Sequence, residues 1–109
     1  MSFQSKLAKI KETLTGIEGL EVGHYEYSGT ADRYCVWAED TESSSVESDN
    51  YKTEQAIQGT IDLYTKTEFD PYVDAVQDAL KTARISFYLN SVQYEDETEL
   101  IHYEWVWDL

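Results

Sequence analysis

The run Ser86-Phe87-Tyr88-Leu89-Asn90-Ser91-Val92-Gln93-Tyr94, the acidic turn Glu95-Asp96-Glu97-Thr98-Glu99 and the run Leu100-Ile101-His102-Tyr103-Glu104-Trp105-Val106-Trp107-Asp108 together decide the fold. Two β-like runs around a short polar turn read as a hairpin. In the second run, the period of two puts Ile101, Tyr103, Trp105 and Trp107 on one face and His102, Glu104 and Asp108 on the other. Such an aromatic strand is expected to be mostly core, with Trp105 among its buried residues and His102 and Glu104 nearer solvent or a neighbouring subunit. With Leu109 following directly, a C-terminal catalytic segment is not expected, and the pattern favours a building block over an enzyme.

Upstream, Asp70 makes a good N-cap, Pro71 suits the first helical position, and Val73, Val76 and Leu80 supply the stripe of a helix reaching about Thr82. From Glu54 to Tyr64, Ile57, Ile61 and Leu63 alternate with Gln58, Thr60 and Asp62, a half-buried strand. Gly59 on its apolar face marks a bulge or a close approach of another backbone. Earlier still, Phe3, Leu7, Ile10, Leu14 and Ile17 form one stripe of a helix ending near Gly16 or Gly19. Val22 to Tyr27 reads as a short strand, Ser28-Gly29-Thr30 as a turn, and Arg33 to Ala38 as a buried strand. Glu39 to Asn50 is Ser-rich and acidic with neither period, so it reads as a long surface loop or the tip of an extended hairpin. The order α-β-β-β-α-β-β, with a hairpin after each helix, predicts one α+β domain over residues 1–109. Its two helices should pack on one face of a mainly antiparallel sheet.

A chain of 109 residues fits one domain that buries roughly 65% of its unfolded surface. Acidic residues outnumber basic ones by 22 to 8, a formal net charge of -14, which repels phosphate and anionic lipid. Neither sequence-specific nucleic acid nor a membrane is an expected partner, and the N-terminus lacks a signal peptide's apolar run. The protein is expected in the cytosol unless packaged into a particle. A single Cys35 leaves no internal disulfide and reads as a small buried hydrophobe.

Phosphate-loop, CxxC, HExxH and GxSxG patterns do not occur. The repeated tripeptide His24-Tyr25-Glu26 and His102-Tyr103-Glu104 would converge on a transition metal if its two strands were neighbours, but alternating polar residues on a solvated strand give the same pattern. A Cys35/His nucleophile would need electropositive surroundings that so acidic a chain does not offer. The carboxylates of the turn at 95–99 and of the segment at 40–49 lack the burial or the spacing of an acid–base pair or a calcium loop. No catalytic residue, cofactor or metal is therefore expected.

Three stretches carry a family resemblance: Asp32-Arg33-Tyr34-Cys35-Val36-Trp37-Ala38-Glu39-Asp40, Glu54-Gln55-Ala56-Ile57-Gln58-Gly59-Thr60-Ile61-Asp62-Leu63-Tyr64-Thr65-Lys66, and Asn90-Ser91-Val92-Gln93-Tyr94-Glu95 with Ile101-His102-Tyr103-Glu104-Trp105. From about Tyr25 onward they resemble the tail-completion, or tail-terminator, proteins of long-tailed phages and prophages of Gram-positive bacteria. The resemblance implies a non-enzymatic virion protein at the tail–head junction, present in the host cytoplasm before assembly. Such a protein forms a ring, typically of six copies, that caps the tail tube and joins it to the head connector. Asp32-Arg33 departs from it, standing where many relatives have a proline before the strand.

The acidic balance also suits a ring through which a polyanion passes, and equally a small acidic module that mimics nucleic acid to inhibit a basic host protein. Asp40, Glu42, Val46, Glu47, Asp49 and Tyr51 are the candidate partner-contact residues. Their segment has too little apolar area to offset its ordering entropy, so it is expected to be mobile in the free subunit and ordered on the tail tube.

Overall fold

The computed structural model describes residues 1–43 and 55–109. Helix α1, Phe3–Thr15, starts at Ser2, whose hydroxyl oxygen accepts the Ser5 amide at 3.1 Å, and stops at Gly16. That N-cap satisfies one of the helix's otherwise orphaned donors. Ile10 and Leu14 are fully buried, Leu7 and Ile17 pack at the margin, and Phe3 remains exposed. Lys6 is buried among them, its ammonium donating to the carbonyls of Gln55 and of Leu109, the latter at 3.1 Å. Helix α2, Pro71–Thr82, has the expected Asp70 cap and buries Val76 and Leu80.

Five strands form one mixed sheet: β1 (Glu21–His24), β2 (Tyr34–Glu42), β3 (Ile57–Thr65), β4 (Ser86–Glu95) and β5 (Leu100–Asp108), in spatial order β1-β2-β3-β5-β4. Three of the pairings are antiparallel, and the C-terminal hairpin β4–β5 forms as read. The first pairing corrects the expectation of a hairpin after α1, because β1 runs parallel to β2, with Glu21 opposite Tyr34 and His24 opposite Trp37. β1 also ends earlier than expected. Tyr25 takes a left-handed φ of 68° and its amide bonds the Trp37 carbonyl, turning the chain off the sheet. The returning backbone presses on Gly23, where a Cβ would sit 2.1 Å from the Glu26 oxygen, so the loop can double back only over a glycine.

Both helices cover the face defined by three cross-strand rows: Cys35–Leu63–Tyr103, Trp37–Ile61–Trp105 and Glu39–Gly59–Trp107. Trp105 and Trp107 are completely buried there, and the Trp105 indole N–H donates to Gln77 of α2 at 3.0 Å. Gly59 shows both features expected of it. The β2–β3 register shifts at Asp40, and a Cβ on Gly59 would lie 2.1 Å from the Ala38 carbonyl oxygen and 2.5 Å from the Trp107 ring. Asp40 and Glu42, read as part of a long surface loop or of the tip of an extended hairpin, belong to β2, in line with the hairpin alternative, because the antiparallel ladder with β3 continues to Glu42 opposite Ile57 and on through Ser43 N–H to the Ala56 carbonyl. Val46, Glu47, Asp49 and Tyr51 lie outside the described residues.

Candidate interaction surfaces

The face of the sheet opposite the helices carries most of the arranged polar chemistry. On β3 and β5 the alternation that sends Ile61 and Trp105 inward sends Asp62, Tyr64, His102 and Glu104 outward. His102 Nε2 lies 2.6 Å from Asp62 Oδ1, and its Nδ1 lies 3.6 Å from Glu95 Oε2. Asp62 directly opposes Glu104, which accepts a 2.8 Å bond from the Asn90 amide. Burial raises the Asp62 carboxyl most, the facing Glu104 adds to it, and the bond to His102 offsets only part, so its pKa stands above the usual aspartate range. Asp62, His102 and Glu104 are also the one trio among the described residues whose donor atoms converge closely enough for a cation, all within 4.8 Å.

An aromatic row crosses the same face. Tyr27 stacks on Tyr34 at 4.2 Å, Tyr34 on Tyr64 at 4.9 Å, and Tyr64 on His102 at 4.2 Å. Partial burial, with Asp62 and other carboxylates nearby, pushes the Tyr64 phenol up to about 12, so it stays a neutral donor at neutral pH. Tyr34–Tyr64 and Tyr64–His102 are cross-strand contacts that stiffen the sheet, and Tyr27 adds the loop after β1 to the row.

The two HYE segments are not neighbours. His24 sits on β1 and His102 on β5, with β2 and β3 between them, and Glu26 lies beyond the end of β1. His24 instead stacks on Trp37 at 3.8 Å and bonds Glu39 at 2.7 Å, while Tyr25 donates to the other oxygen of Glu39. Cys35 is fully buried, and burial lifts its thiol far above the usual range, the opposite of an activated nucleophile.

Asp70 joins three elements. Its carboxylate, with no exposed side-chain surface, accepts from Thr65 Oγ1 at 2.6 Å, the Tyr72 amide at 2.9 Å and Arg33 Nε at 2.7 Å. Burial opposes ionisation, but these bonds outweigh it and hold the pKa below the usual range. The Arg33 guanidinium also lies over the Tyr72 ring at 4.5 Å, which ties the entry of β2 to the start of α2 where the family resemblance led one to expect a proline. The arrangement is a structural clasp, and sequence reading identified the cap but not its two side-chain partners.

Sequence reading also gave no sign of the exposed apolar surface on the C-terminal hairpin. The cross-strand partners of Ile101, Tyr103 and Trp105 are Tyr94, Val92 and Leu89, so these three point to the helix side. The helices cover the Phe87–Trp107 end and leave Leu89, Val92 and Tyr94 45%, 51% and 60% exposed. Phe69, in the turn before α2, is 96% exposed at a left-handed φ of 55°. An open cleft of about 680 Å³ between Lys66, Glu68, Val92, Tyr94 and Ile101 separates the hairpin from that turn. Asp40 and Glu42 are exposed at the opposite end of β2–β3.

Among solved structures the fold is similar to that of a chain in a structure described as "Virion of native gene transfer agent (GTA) particle". The TM-score is 0.57 at 14% identity, covering 93% of this chain and 90% of that one. No protein-family profile and no curated protein matches the sequence. The comparison establishes a shared fold over nearly the whole length of both chains.

Proposed function

We propose that this chain is a virion structural protein of the tail-terminator type, which assembles as a ring, typically of six copies, on the end of the tail tube and joins it to the head connector. The observation that carries this reading is the fold shared over 93% of the chain with a component of a virion particle. It agrees with the resemblance carried by residues 32–40, 54–66 and 90–105. In this reading the protein is not an enzyme, needs no cofactor, contacts tube and connector proteins, and resides in the virion after assembly from the host cytoplasm. The buried thiol and the pairing of both histidines with carboxylates support a non-catalytic role. Asp40, Glu42, Val46, Glu47, Asp49 and Tyr51 remain the proposed contact residues toward the tube.

The test is electron microscopy of the purified protein mixed with tail tubes. Rings at tube ends are the expected result, with association of free subunits favoured by added salt, which screens the charge of -14 on each chain. Normal joining after residues 44–51 are replaced by a short Gly-Ser turn would remove that segment from the docking surface. The acidic balance favours a second reading, inhibition of a basic host protein by nucleic-acid mimicry. It predicts a one-to-one complex with such a partner and no rings.

A further inference from the structure

β4 is an edge strand of 10 residues whose outer backbone groups have no partner among the described residues. From Ser86 to Tyr94 it carries neither charge nor proline, in a chain that is 28% charged. Natural edges of this length are usually blunted by lysine, proline or a covering element. Here most of the side chains are exposed, with Leu89, Val92 and Tyr94 on the helix side and Tyr88 on the other. The second edge is different. β1 is four residues long and carries Glu21 and His24, so among the described residues the only edge that matches β4 in length is β4 itself.

Asn90 decides the register of such a pairing. The β4–β5 ladder shifts there, so the alternation of β4 slips by one residue: Phe87 and Leu89 before it and Val92 and Tyr94 after it all face the helix side, opposite Trp107, Trp105, Tyr103 and Ile101. When two β4 strands pair antiparallel about a two-fold axis normal to the sheet, facing residues must lie on the same side. Setting Asn90 opposite the partner's Ser91 meets that condition along the strand. Phe87 then faces the partner's Tyr94 and Leu89 faces the partner's Val92 on the helix side, while Tyr88 faces the partner's Gln93 on the other. A slip of one residue would set Leu89 against the partner's Ser91, which lies on the wrong side.

Charge selects the direction. A parallel pair would set the acidic tip, Glu95, Asp96, Glu97 and Glu99, beside its own copy. The antiparallel pair instead carries each tip past Ser86 of the other copy to the residues that precede it in the chain, where Arg84 is exposed and makes no ion pair among the described residues. Asp108 stands opposite Ser86 at the same end, but on β5, one strand further in, so it lies roughly 10 Å, about one Debye length, from the arriving Glu95. We infer that the free protein pairs with a second copy of itself through β4, antiparallel and with Asn90 opposite the partner's Ser91, joining the two sheets into one. Two chains of charge -14 can approach there because the strands oppose no charges along their length and each tip meets an unpaired guanidinium. The contact is isologous and closes at two copies, so it is separate from the heterologous contact that a ring requires. It covers the exposed edge of the free subunit before assembly.

The test uses the full chain without tail tubes. Sedimentation should show a reversible monomer–dimer equilibrium, weakened about tenfold or more by Val92→Lys, the loss of a well-packed contact. Arg84→Glu and Glu97→Arg should each weaken it alone, and a mixture of the two should restore it, because the mixed pair holds one contact in its native polarity and one reversed. Leu89→Cys mixed with Val92→Cys should give a disulfide-linked pair on mild oxidation, since facing Cβ atoms of antiparallel strands lie about 4.5–5.5 Å apart, while the buried Cys35 remains silent. All four altered positions are exposed, and unchanged thermal unfolding establishes that the variants fold. A wild type that stays monomeric at every concentration, a dimer as tight with Val92→Lys as without it, or Leu89→Cys linking to itself as readily as to Val92→Cys would overturn the pairing. Protection of the β4 amides from hydrogen exchange that appears only when tail tubes are added would assign the edge to a tube strand and overturn it likewise. Each of these results leaves the ring reading standing, since the ring contact is a different one.

Discussion

Trp107 lies directly opposite Gly59 across β3 and β5, its six-membered ring occupying the space that a side chain on residue 59 would need. The Ala38 carbonyl closes the same space from β2. Gly59→Ala therefore forces either the indole or the ladder to move and should cost about 1–3 kcal/mol. Denaturant unfolding checks it. A change within about 0.5 kcal/mol would show that the core yields without strain.

Trp105 is fully buried and its N–H is satisfied by Gln77. Trp105→Ala should cost roughly 3–5 kcal/mol, while Trp105→Phe retains part of the packing and should cost less. Gln77→Leu leaves the buried indole N–H without its partner and should cost about 1–3 kcal/mol. Equal, small effects from all three in the same unfolding experiment would contradict this packing.

The Asp70 clasp makes stability fall in acid. Its carboxyl has a lower pKa in the folded protein than in the unfolded chain, so the stabilisation is complete above the unfolded value, about 3.9, and is lost as pH falls through the folded one. Asp70→Asn should therefore be less stable than the wild type near neutrality and approach it in acid. A constant gap between the two unfolding curves at all pH values would exclude the clasp as the source.

Asp62 has the opposite sign. Its folded pKa is raised, so its contribution is complete below the unfolded value and is lost as pH rises through the folded one. Asp62→Asn, which removes the charge facing Glu104, should gain stability relative to wild type as pH rises from acid to neutral. Thermal unfolding at several pH values measures this, and a gap that moves the other way would mean that the His102 bond outweighs burial and the Glu104 repulsion together.

Elemental analysis of purified protein should find no stoichiometric metal. The two HYE segments lie on strands separated by two others, and the remaining trio offers a single imidazole already bonded to Asp62. Zinc near one per chain that disappears with His102→Ala would overturn this expectation.

Local signals determined much of this protein from sequence alone. The apolar stripe from Phe3 to Ile17 with Gly16 near its end marks one helix, Asp70 and Pro71 start the other, and the period of two assigned Ile61 and Leu63 to one face of β3 and Trp105 and Trp107 to one face of β5, because capping and alternation depend on residues a few positions apart. The order of elements followed from the same signals. Beyond the β4–β5 hairpin, tertiary structure alone decided which strands are neighbours. β1 pairs in parallel with β2 because Tyr25 and Gly23 let the chain double back, and that return depends on a contact with the Glu26 carbonyl that no periodicity encodes. It also separated His24 from His102, set Asp62 against Glu104, and buried Lys6 beneath the carbonyls of Gln55 and Leu109. The β-like run of residues 86–94 announced a strand, but whether Leu89, Val92 and Tyr94 meet a helix or solvent depends on how far α1 and α2 reach along the sheet, and helix reach is a property of the packed layers.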